Sequence, residues 1–125
     1  MVKHNENRVP SEAVLTIAML YQNGRGTPKN IKEAIKWYEG AARDSITAPR
    51  ACLQLAKIYE QGDDGKPDPI KAYSWLLRAK GWRSHAADAE ADAGLTRLAG
   101  QMTPKQIKKA EVEAHGPISV PMGKY

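Results

Sequence analysis

Apolar positions along this chain fall into two stretches with the same spacing and the same punctuation. Ala13, Ile17, Ala18, Tyr21 and Gly24 lead to Asn30, Ala34, Trp37 and Ala41. After a step of 38 residues, Ala51, Leu55, Ala56, Tyr59 and Gly62 lead to Asp68, Ala72, Trp75 and Ala79. Within each stretch the apolar steps are three and four residues, the helical period. A whole-motif repeat of this length is the signature of stacked helical hairpins. The expected fold is therefore all-α, a short solenoid of about six helices, and the expected role is binding rather than catalysis.

Local signals divide the chain further. A first helix is predicted over 11–23 and ends at Gly24 and Gly26, where glycine supplies the positive φ of a tight exit. Asn30 and Glu33 read as a capping box opening a helix to about residue 44, with Ile31, Ala34, Ile35, Trp37, Tyr38 and Ala41 on its apolar face. Pro49 lies in the first turn of a helix over 48–61, and Asp68 with Pro69 starts another that runs to about residue 80. A further 38-residue step lands on Ala89 and Gly100, so a third, weaker pair is expected: one helix over 84–99, then one opened by the capping box of Thr103, Pro104 and Gln106 and running to about residue 114. The resulting division is an arm over 1–10, a repeat domain over 11–114 in units 11–47, 48–83 and a degenerate capping unit 84–114, and a tail over 115–125.

At these positions the sequence resembles the Sel1-like repeat family, relatives of the tetratricopeptide repeats. The first unit matches through Ala13, Ile17, Ala18, Tyr21, Gly24, Gly26, Asn30, Glu33, Ala34, Trp37, Tyr38, Ala41 and Ala42; the second through Ala51, Leu55, Ala56, Tyr59, Gly62, Gly65, Asp68, Lys71, Ala72, Trp75, Leu76 and Ala79. It departs from the pattern at Gly65, one place later than its counterpart Gly26 and read as one extra residue in the second turn, and at Leu76, where tyrosine is usual. The third unit has Arg97 in place of the tyrosine and no tryptophan in its second helix. The resemblance implies a right-handed superhelix of helix pairs and an adaptor or scaffold role. Compact bacterial members include inhibitors of secreted effectors, acting as immunity proteins. The repeated Ala, Gly, Tyr and Trp positions read as packing, with Trp37 and Trp75 in the core.

Composition narrows the chemistry. Hydrophobic residues make up 42% and charged residues 26% of 125 positions, which is ordinary for a globular domain. No apolar run is long enough to span a bilayer and the first ten residues lack a hydrophobic signal region, so a cytoplasmic location without membrane insertion is expected, or a periplasmic or secreted one if an export signal has been removed. Cys52 is the lone cysteine, read as a buried filler; no internal disulfide or thiolate cluster can form from one. The Asp63, Asp64 and Asp68 segment lacks the alternating ladder of a calcium loop, and His4, His85 and His115 are isolated. No nucleophile elbow, phosphate loop or dinucleotide fingerprint occurs. No catalytic, cofactor or metal site is therefore expected. The excess of 19 basic over 14 acidic residues raises nucleic acid as a partner, with Lys105, Lys108, Lys109 and Arg83 as its candidates, but basic and acidic residues are interspersed and the densest run is followed by Glu111 and Glu113.

The candidate site is the stripe that the resemblance turns toward the concave face: Glu12, Leu15, Met19, Gln22 and Asn23 in the first unit, and Arg50, Leu53, Lys57, Glu60 and Gln61 in the second. Asp88, Ala91, Leu95 and Leu98 continue it in the third. Leu15, Met19 and Leu53 are more apolar than a water-facing stripe needs, so the stripe reads as a protein- or peptide-binding groove, or as a seat for the arm or tail. The chain is expected to be a monomer when unbound. Two other functions stand beside binding. One is the β-lactam binding or hydrolysis linked to cysteine-rich relatives, whose disulfide framework a chain with Cys52 alone lacks; the other is association with nucleic acid through the basic set.

Overall fold

A computed structural model describes residues 10–116. The described residues form helices α1 (Ser11–Asn23), α2 (Ile31–Ala41), α3 (Ala48–Gln61), α4 (Pro69–Ala79), α5 (His85–Ala99) and α6 (Pro104–His115), and no strand. The arm and tail fall outside the described residues except for Pro10, His115 and Gly116, and His115 is still helical. The helices pack as an all-α stack of hairpins: α1 on α2, α3 on α4, with α2 against α3 and α4 against α5 joining successive units.

Each helix boundary has a chemical cause. Gly24 and Gly62 take left-handed conformations and send their N–H groups back to Leu20 and Ile58, closing α1 and α3. A Cβ at Gly62 would lie 2.6 Å from the Pro67 nitrogen, so only glycine fits. Asn30 and Asp68 then accept from the N–H of Glu33 and Lys71 and cap α2 and α4. Each cap also donates its own N–H to the repeat tyrosine, Asn30 to Tyr21 and Asp68 to Tyr59. The two turns are thus equal in length, and the shifted Gly65 adds no residue, contrary to the expectation from its position. At Asn30 the capping box is half formed, because the Glu33 carboxylate lies 3.3 Å from Lys36 Nζ instead. Thr103 and Gln106 complete a full box at α6.

α2 ends three residues earlier than expected. The Thr47 hydroxyl donates to the Ala41 carbonyl at 2.7 Å in a buried position, and the Asp44 carboxylate accepts from the Ile46 N–H, so the chain turns through 42–47 instead of extending the helix.

The core is continuous from Leu15 and Ala18 through Tyr38, Leu55 and Ile58 to Leu76 and Leu98. Trp75 is buried at 6% exposure, while Trp37 is half-buried: α4 is covered by α3, α5 and α6, and α2 by α1 and α3. In the third unit the repeat continues at Ala91 and Gly94, the counterparts of Leu53 and Ala56, and both are buried. Gly94 lets α4 approach closely, since a Cβ there would meet Leu76 Cδ1 at 2.8 Å. Ala89 is exposed and Gly100 takes an ordinary right-handed conformation, so neither plays the part its 38-residue step implied.

The last helix departs furthest from a simple hairpin. α6 packs on α4, not chiefly on its own partner α5. It runs parallel to α4: Ile70 at the start of α4 lies beside Thr103 and Lys105, while Arg78 near its end donates to the carbonyls of Glu113 and Gly116 at 2.6 and 3.1 Å. That guanidinium caps α6 and stacks over the Trp75 ring.

Candidate functional site

The odd-numbered helices bring the predicted stripe onto one face and tie it together across units. Glu12 on α1 lies 3.2 Å from Arg50 on α3. Lys57 on α3 lies 3.6 Å from Glu90 on α5, and Glu60 on α3 accepts two hydrogen bonds from Arg97, at 3.0 and 2.7 Å. Hydrogen bonding to Glu60, then its charge, holds the Arg97 guanidinium above its ordinary pKa. Arg97 stands where the first two units carry Tyr21 and Tyr59, so the loss of the tyrosine supplies a clamp between the second and third units.

Burial corrects part of the stripe. Leu15 and Leu53 are 4% and 8% exposed and belong to the core, so they present almost no surface. Gln22 is half-buried and its carbonyl oxygen accepts the Tyr38 hydroxyl at 2.5 Å. Burial pushes that phenol up to about 12. Met19, at 46% exposure, is the apolar residue of the stripe that does reach the surface, with Asn23 and Gln61 exposed at the ends of α1 and α3. In the third unit Asp88 accepts from the Gly81 N–H, Leu95 is half-buried, and Ala91 and Leu98 are buried.

Glu90 and Arg97 belong to this face and were not among the predicted contacts. Charge complementarity to Lys57 and Glu60 at nearly one repeat length is the signal that finds them. Leu20 is also exposed, on a neighbouring face of α1.

Behind this surface burial shifts two titratable groups. The Cys52 thiol is buried and its pKa is raised to about 12 by desolvation, against a smaller opposing effect of Arg78. Burial also raises Glu39, opposed by the positive charges of Lys71, Arg78 and Arg43. Ser74 donates its hydroxyl to the Lys71 carbonyl and Ser84 accepts from the Ala87 N–H, so both serines serve the backbone. Among the described residues no group of three or more His, Cys, Asp or Glu is placed to hold a metal, and no helix is long and apolar enough to cross a membrane. Arg83 lies in the connection between α4 and α5, off the groove that Lys105, Lys108 and Lys109 line; the basic set proposed for nucleic acid is therefore split.

No curated protein matches the chain. A family profile for the Sel1 repeat matches residues 11–45 and 49–80, the first two units, and stops before α5. Those matches cover more than half of the sequence: the chain belongs to the Sel1 repeat family, whose helical hairpins generally serve as protein–protein interaction modules.

Proposed function

We propose that this chain is a non-enzymatic module that binds a partner protein through the face of α1, α3 and α5, and that it acts by occupying the partner, as an inhibitor or immunity-type protein does. One observation carries the reading: ion pairs between successive odd helices hold exposed charged side chains in register beside the exposed Met19. Side chains fixed before association lose less rotamer entropy when a partner arrives. An apolar point surrounded by charge also has the anatomy of a small interface, with a dry centre and a rim sensitive to salt.

Affinity capture from the native cell extract tests it, with the wild-type chain compared against a Met19→Glu, Lys57→Glu double variant. Both positions are exposed, so the variant is expected to keep the fold, which circular dichroism checks. A partner recovered by the wild type and lost by the variant supports the proposal, and equal recovery by both removes this face from consideration.

A further inference from the structure

We infer that the outer face of α6, with the groove it forms against the start of α4, is a second docking surface, and that it fits an acidic peptide segment carrying an aliphatic anchor. The groove holds about 830 Å³ and is lined on its apolar side by Ile70, Pro104 and Val112 and on its charged side by Lys105, Lys108 and Lys109. Among the described residues no carboxylate lines it. The three lysines are exposed and make no ion pair among the described residues, whereas Arg50, Lys57, Lys80 and Arg97 each have an acidic partner. Val112 stands 65% exposed in the same groove.

The charge order along α6 opposes its own dipole. Lys105 lies in the first turn, where acids are favoured, and Glu111 and Glu113 lie toward the carboxyl end, where bases are favoured. Lys105 and Lys109 also repel one another one turn apart. The Arg78 guanidinium and His115 compensate the carboxyl end, whereas at the amino end Lys105 keeps an unfavourable place that no ion pair among the described residues offsets, the mark of a surface shaped for something else. Charge complementarity calls for an acidic ligand and Val112 for an apolar side chain within it. A peptide meets both requirements. Nucleic acid meets the first only: among the described residues no aromatic side chain lines the groove to stack a base, and Arg83 is not part of its lining.

NMR titration of the isotope-labelled full chain at physiological ionic strength tests the inference with three probes. These are a short synthetic peptide of glutamates around a central leucine, an all-glutamate peptide of equal charge, and single-stranded oligo-dT. Shifts gathered on α6 and Ile70 are expected, with the leucine peptide binding about tenfold tighter than the all-glutamate one. Lys108→Glu and Val112→Asp, each shown to be folded by circular dichroism, are expected to weaken that peptide by about tenfold. The inference is overturned by shifts elsewhere, by variants that bind as the wild type does, by oligo-dT binding tighter than the leucine peptide, or by no binding of any probe. It is independent of the odd-helix proposal, whose capture experiment leaves α6 unchanged.

Discussion

Two surfaces of this small array carry charge, and they handle it in opposite ways. On the odd helices, residues near equivalent repeat positions reach across the seam: Glu12 to Arg50, Lys57 to Glu90, Glu60 to Arg97. On α6 the lysines make no ion pair among the described residues. Repetition thus pairs charges along the odd helices, while the lysines of α6, like Lys32 of α2, have no ion pair among the described residues. Exposed ion pairs contribute little to stability, so the tied face owes its order to geometry more than to energy.

The comparison is sharpest within the predicted stripe, whose apolar residues differ in depth. Leu53→Glu places an unpaired carboxylate in the core and is expected to destabilise by about 4 kcal/mol or more, while Met19→Glu at the surface changes stability by less than about 0.5 kcal/mol; urea denaturation of both reads the difference. Next comes coverage by α6. Trp75→Ala is expected to cost about 3–5 kcal/mol and Trp37→Ala about half as much, since no described helix lies over α2 as α6 lies over α4.

Alkaline titration separates the core from both surfaces. The Cys52 thiol rises from 9.0 to about 12 on folding, and the Tyr38 and Tyr59 phenols rise from 10.0 to about 12. All three are neutral when protonated and are held so by the folded state. Their contribution is fully present below the unfolded values and is lost as pH rises through the folded ones, so Tm should fall between pH 9.0 and about 12. The same burial keeps Cys52 unreactive toward a thiol reagent in the native state at neutral pH, with labelling only after denaturation.

The smallest effects probe the charges themselves. A double-mutant cycle on Glu60 and Arg97 should give a coupling of about 0.5–1 kcal/mol. Lys105→Glu, by contrast, should stabilise by about 0.3–1 kcal/mol, because it places an acid in the first turn of α6 and an attractive pair with Lys109. A destabilising result would show that Lys105 has a structural partner and would remove the contrast between the two surfaces.

Much of the architecture is written in short-range pattern. Apolar period, glycine exits and the caps at Asn30, Asp68 and Thr103 locate all six helices, since each signal acts within a few residues. What was hidden depends on the third dimension. Leu15 and Leu53 look surplus on a one-helix view, yet both belong to the common core. The end of α2 depends on Thr47 reaching back to Ala41, and the seating of α6 on α4 depends on Arg78 and Gly116, partners 38 residues apart. Of the stripe expected to meet a partner, the charged residues and Met19 reach the surface, while its leucines do not.

The central claim is that the tied face of α1, α3 and α5 meets the partner. Oxidative footprinting of the captured complex tests it most directly, because Met19 is an exposed and reactive reporter on that face while Met102 is buried as an internal control. The account predicts that Met19 oxidation slows several-fold in the complex while Met102 is unchanged. An unchanged Met19 rate in a saturated complex would contradict it.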